Sequence, residues 1–182
     1  MNRILVLYET GAGQTRKIAN TIGDTLRAHG LDADVIQAGH SDPDPKQYAG
    51  IIVAASVHAG GYQKPIGRWL SAHADQLGGM PTAFVSVCLS ILSKNEAGRK
   101  EAEAIPQRFM NAIHWHPTVV KIVAGALLYT QYNFFVRWIM KRIVASAGGD
   151  TDTSRDYEYT DWNDVRAFAI DFGRRVKSPA AA

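Results

Sequence analysis

The stretch Val6-Leu7-Tyr8-Glu9-Thr10-Gly11-Ala12-Gly13-Gln14-Thr15, with Ala19 and Ile22 beyond it, holds the residue types of an anion cradle. An apolar run ends, glycines turn the chain, and an amphipathic pattern begins. A turn of this kind aims consecutive backbone N–H groups into one concavity. The N-terminus of the following helix adds a partial positive charge. Thr10 and Thr15 contribute hydroxyl donors, and Gly11 and Gly13 let the backbone approach a ligand closely. The loop contains no lysine, which separates it from G-x-x-x-x-G-K-[ST] nucleotide loops, and its spacing is not G-x-G-x-x-G. The chemistry that remains is capture of a terminal monophosphate by neutral donors. The competing reading is an ordinary strand-to-helix turn in which Thr15 caps the helix.

Two more small-residue loops follow apolar runs, Ser56-Val57-His58-Ala59-Gly60-Gly61-Tyr62 and Ser86-Val87-Cys88-Leu89-Ser90. His58 reads either as a ligand contact or as a loop histidine, and Tyr62 either as a contact or as a packing residue at a helix start. Cys88 ends an apolar run with no lysine or histidine beside it, which suits a structural thiol. As the one cysteine it excludes an internal disulfide, and a reducing compartment is expected. His114-Trp115-His116 offers two histidines without carboxylate or thiol partners, too few for a metal centre, and Trp115 reads as packing.

These loops need elements to position them. Apolar runs at 4–8, 33–36, 51–55, 82–89 and 119–128 predict five strands. Helical patterns cover 15–29, with Gly30 as a C-cap, then 66–77, 96–112 and 161–176, the last opened by Asp161. The strands are continuous rather than alternating, so both sheet faces are covered. Right-handed crossovers then give an open, doubly wound α/β sheet. Ligands on such sheets bind beyond the carboxyl ends of the strands, where all three loops fall.

Composition agrees. With 182 residues, 46% hydrophobic and 20% charged, the chain is not disordered, and one domain over 1–177 with a loose tail at 178–182 is expected. About 70% of the unfolded surface is buried at this size. The start MNRILVLYE lacks a signal-peptide pattern, and no run of 18 apolar residues exists to span a bilayer. The 20 basic and 17 acidic residues are scattered, so no nucleic-acid partner is expected.

The run from Val6 to Ile22 resembles the flavodoxin signature: aliphatic pair, Tyr8, hydroxyl Thr10, small Gly13, Thr15, Ala19, Ile22. Further blocks extend the likeness over about residues 3–175. They are Ala55-Ser56-Val57-His58-Ala59-Gly60-Gly61-Tyr62, Met80-Pro81-Thr82-Ala83-Phe84-Val85-Ser86-Val87, Ile122-Val123-Ala124-Gly125-Ala126-Leu127, Gly148-Gly149-Asp150-Thr151-Asp152-Thr153 and Tyr159-Thr160-Asp161-Trp162. Together they resemble the flavodoxin-like menaquinone-dependent protoporphyrinogen oxidases of haem biosynthesis. The resemblance implies a five-stranded parallel sheet in the order 2-1-3-4-5. It implies FMN, with its phosphate at Thr10, Gly11, Ala12, Gly13, Gln14 and Thr15. It places the flavin ring between Ser56, Val57, His58, Ala59, Gly60 and Tyr62 on one loop and Ser86, Val87, Cys88, Leu89 and Ser90 on the other. It implies protoporphyrinogen IX as substrate, losing six electrons in three two-electron turns, and menaquinone or ubiquinone as acceptor. A cytoplasmic location, peripheral on the inner face of the cell membrane, goes with the quinone. Two features depart from the family pattern. Glu9 stands where a hydroxyl residue is commoner and is expected to point outward, and the loop 88–100 matches weakly.

Residues 129–160 are longer than a connection requires. Within them 133–147 reads as a helix with bulky apolar side chains, the cations Arg137, Lys141 and Arg142, and no acid. Such a helix suits a membrane interface, the propionates of the substrate, a lid, or contact with a second subunit. Two rival functions remain at this stage. A flavodoxin electron carrier would be acidic to dock on basic partners, against a net charge of +3 here. A flavodoxin-like NAD(P)H quinone reductase would not need the insertion.

Overall fold

The computed structural model describes residues 2–58, 60–131, 144–145 and 148–178. Strands β1 (Arg3–Glu9), β2 (Asp32–Gln37), β3 (Gly50–Ser56), β4 (Thr82–Val87) and β5 (Val119–Val123) form a parallel sheet in the order β2-β1-β3-β4-β5. The strand order implied by the family resemblance is therefore the observed one. Helices α1 (Gln14–Ala28), α2 (Lys64–Leu77), α3 (Glu96–Ala112) and α4 (Trp162–Lys177) cover it.

Alternation along β1 explains the unbroken apolar runs. Ile4, Val6 and Tyr8 pack with Ile18, Ile22 and Leu26 of α1 and Phe168 and Phe172 of α4. Leu5 and Leu7, between them in sequence, pack with Ile66, Trp69 and Leu70 of α2 and Met110 of α3. Both faces of every residue pair are thus taken up, as a parallel sheet requires. Asp161 is the N-cap of α4: its Oδ1 accepts from the backbone N–H of Asn163 at 2.9 Å and of Asp164 at 3.1 Å.

The fifth strand is shorter than the apolar run suggests. It leaves the sheet after Val123, and Ala126–Leu127 (β6) pairs antiparallel with Tyr157–Glu158 (β7) in a separate ladder. A change of strand partner leaves no mark on hydrophobicity, which is why 119–128 reads as one element. The fourth strand likewise stops at Val87, and Leu89–Leu92 is a short 3-10 turn. Of the helix expected over 133–147, Val144 and Ala145 are described and helical; Arg137, Lys141 and Arg142 lie outside the described residues.

β1, β3 and β4 are neighbours in the sheet, with Glu9 opposite Ala55 and Ser56 opposite Val87. The chain leaves β1 toward β2 on one side and returns as β3 on the other. The three loops identified from sequence therefore open side by side at a topological switch point.

Candidate functional site

The turn between β1 and α1 is built on Thr10 and Gly13. Thr10 Oγ1 accepts from the Gly13 N–H at 2.9 Å, which leaves its own proton free to donate. Gly13 sits at φ +91°, a conformation that favours glycine, and its carbonyl accepts the first helical bond from the Lys17 N–H at 3.2 Å. Gly13 is the N-cap of α1, with no side chain capping the helix. Thr15 is therefore not a cap. It lies inside the first turn, fully buried, and its Oγ1 has no partner among the described residues. Gln14, also buried, has an unpartnered Oε1. Two orphaned polar atoms at the start of one helix are costly unless a ligand completes them. The first-turn N–H groups beside them also lack intrahelical acceptors.

Glu9 does not point outward. Its Oε1 accepts from the Thr10 N–H and from Gln37 Nε2 on β2, both at 3.1 Å, and the residue is buried. The carboxylate is held back under the turn by two donors. Glu9 thus serves as an internal brace between the turn and β2.

On the next loop, Gln63 Nε2 donates to Ser56 Oγ at 2.9 Å. That leaves the Ser56 proton for His58 Nε2, 3.1 Å away. The loop is closed by paired backbone bonds between His58 and Gly61, at 2.8 and 3.0 Å. The His58 ring leans over the turn between β1 and α1 at Gly11. A methyl group on Gly11 would lie 2.5 Å from His58 Nε2 and 2.6 Å from Cε1. Gly11→Ala is accordingly expected to keep the fold and swing His58 off Ser56, seen as displaced His58 ring signals by NMR. Gly13→Ala meets no atom within 4 Å, so it leaves His58 in place and costs only about 1–2 kcal/mol of backbone strain.

Tyr62 turns away from the opening. Its ring packs on Phe84 (5.0 Å) and Phe109 (4.8 Å), and its hydroxyl lies 2.7 Å from the buried Ser86 Oγ. Burial pushes the phenol well above the ordinary tyrosine range and outweighs the bond to Ser86, so Tyr62 stays neutral. Cys88 is buried and its N–H donates to the Val123 carbonyl at 2.9 Å. Leu89 packs toward Leu127, Tyr129 and Val144, while Ser90 is exposed. Val57 donates its N–H to the Val87 carbonyl at 2.9 Å, which joins the two loops. Ala59 lies outside the described residues. Trp115 is buried against Phe84, as its sequence context suggests.

Residues far along the chain complete the site, and motif reading did not assign them a role. Gln14 Nε2 donates to Thr160 Oγ1 at 2.9 Å, and Lys17 pairs with Glu158 at 3.2 Å. Burial works to raise the Glu158 carboxyl; hydrogen bonds from Trp162, Lys17 and Gln14 outweigh it and hold the group below its usual range. The available signal was the Tyr159-Thr160-Asp161-Trp162 block, which marks the family branch without showing what it touches.

The flavodoxin domain family matches residues 5–154. The protoporphyrinogen IX dehydrogenase [quinone] of Escherichia coli K12 is 32% identical over 178 residues, which is 97% of this chain and 98% of that protein. The protein of the same name from Leishmania major is 34% identical over 93% of this chain and 74% of its own. Among solved structures, a short-chain flavodoxin associated with a bacterial microcompartment superposes with a TM-score of 0.59 at 14% identity, covering 97% of this chain and 99% of that one. The oxidised flavodoxin 1 of Bacillus cereus gives 0.57 at 16%, covering 94% and 97%. These two establish a common fold. No described helix is long and apolar enough to cross a membrane.

Proposed function

The chain belongs to the flavodoxin-domain family, and on that premise we propose that it is an FMN-dependent protoporphyrinogen IX dehydrogenase that passes electrons to a quinone. The observation that carries this reading is the near full-length identity of 32% to a protein of that name. The donor set at the start of α1 suits FMN. Thr15 Oγ1 and the Thr10 hydroxyl, with the first-turn N–H groups, would hold a phosphate, and the orphaned Gln14 Oε1 would accept from a ribityl hydroxyl. A second phosphate would meet no cation within the loop itself, which favours a mononucleotide over FAD.

FMN, when bound, supplies acceptance of two electrons and a proton from the porphyrinogen and their delivery to the quinone. The protein's own groups set the geometry. The loops after β3 and β4 would flank its ring, and Ser56, held by Gln63, would orient His58 beside it. Tyr62 and Ser86 satisfy each other's hydroxyls and leave neither for the cofactor. Residues 1–177 serve as one cofactor domain, with 129–160 as the insertion. Quinones reside in membranes, so a peripheral membrane location belongs to the same reading, with Arg137, Lys141 and Arg142 as the residues for anionic headgroups or substrate propionates.

The test is an anaerobic assay of the FMN-loaded protein with protoporphyrinogen IX and a quinone, run beside NADH as donor. The expected result is porphyrin fluorescence that rises as quinone is consumed. Quinone reduction by NADH without porphyrin formation would identify a quinone reductase instead.

A further inference from the structure

The phosphate loop is gripped from the far end of the insertion, 146 residues further along the chain. Thr160 Oγ1 donates to the Ala124 carbonyl at 2.8 Å. A hydroxyl has one proton, so Thr160 can only accept from Gln14, whose Nε2 lies 2.9 Å away in a buried bond. This settles which end of the Gln14 amide faces Thr160: the nitrogen points at the threonine and the oxygen is left as the orphan. One turn later, Lys17 pairs with Glu158, which also accepts from Trp162 Nε1 at 2.8 Å. The Tyr159 N–H donates to the Gly125 carbonyl at 3.1 Å, and β7 pairs with β6. Residues 157–162 therefore bind 124–127 on one side and the first turn of α1 on the other.

We propose that Thr160 is a positioning residue for the cofactor: it fixes the Gln14 side chain, so that FMN affinity depends on a residue outside the phosphate loop. The proposal rests on the FMN reading above. Thr160 acts through Gln14: without it the amide keeps only its bond to Glu158, shifts toward that carboxylate and no longer aims its oxygen.

A double-mutant cycle tests this, with FMN dissociation constants read from quenching of flavin fluorescence. Thr160→Val keeps the volume and removes both bonds, and it is expected to weaken FMN roughly tenfold. Thr160→Ser keeps both bonds and should retain parental affinity. In a Gln14→Met background, Thr160→Val should cause no further loss of affinity, although it still strips the Ala124 carbonyl of its donor and lowers thermal stability. A threonine that merely holds the fold together would weaken FMN equally in both backgrounds, and that result overturns the proposal, as does an unchanged constant in Thr160→Val. If Thr160→Val does not fold, amide exchange in the parent protein decides. FMN should slow exchange at residues 157–160, and Gln14→Met should abolish that protection; unchanged exchange on adding FMN overturns the proposal. A parent protein that binds no FMN refutes the cofactor reading itself.

Discussion

Thr15→Val is expected to lower FMN affinity ten- to a hundredfold and to raise the melting temperature of the cofactor-free protein. The two effects have one cause. Thr15 Oγ1 is buried with no partner, so in the free protein the hydroxyl is a penalty that valine removes without changing volume. With a phosphate dianion present, the same hydroxyl becomes a charge-assisted donor worth roughly 1.5–3 kcal/mol. Titration of FMN into the apo-protein and a thermal melt without FMN check both halves. A melting temperature that falls, with the dissociation constant unmoved, would return Thr15 to the role of a structural threonine.

Phe84→Ala is expected to destabilise the fold by about 3–5 kcal/mol. Phe84 is fully buried on β4 and touches Tyr62, Phe109 and Trp115, with ring centroids 5.0, 5.6 and 5.8 Å away. Removing it opens a cavity among three large side chains that cannot all collapse inward. A loss of that size is a large part of the 5–15 kcal/mol typical of a domain. It also frees Tyr62, whose hydroxyl anchors Ser86 at the end of the same strand. Urea denaturation gives the stability change. A loss under 1 kcal/mol would show that Tyr62 and Phe109 close the gap.

The sheet was readable because its physics is local. The central strands β1, β3 and β4 bury both faces, so Ile4 to Tyr8 and Gly50 to Ala55 appear as unbroken small or apolar runs, and the glycine turn before α1 has its own residue signature. The geometry of the turn was legible for the same reason: Thr10 and Gly13 act on neighbours within a few residues. What escaped were interactions set by partners distant in sequence. Ala126 and Leu127 continue the apolar run of β5 but pair with Glu158 and Tyr157. Glu9 looked like a charge to be turned outward, because the Gln37 amide that receives it sits on another strand. Thr160 carried a family motif with no local pattern to connect it to Gln14. Tyr62 could be placed at a helix start but not faced, since the aromatic cluster that claims its ring comes from β4 and α3.

The bond between Gln14 and Thr160 spans 146 residues, which gives the site a place in the order of biosynthesis. The ribosome delivers the turn between β1 and α1 early and its brace 146 residues later. At about 5–20 residues per second, roughly 7–30 s separate the two. During that interval β1 and α1 can form and even meet β3, yet the Gln14 amide has nothing to hold it and the orphaned oxygen has no fixed direction. A nascent chain therefore presents a loop that is chemically complete and geometrically unfinished. On the FMN reading proposed above, loading of the cofactor becomes a late event, tied to synthesis of residues 157–162 rather than to folding of the turn between β1 and α1.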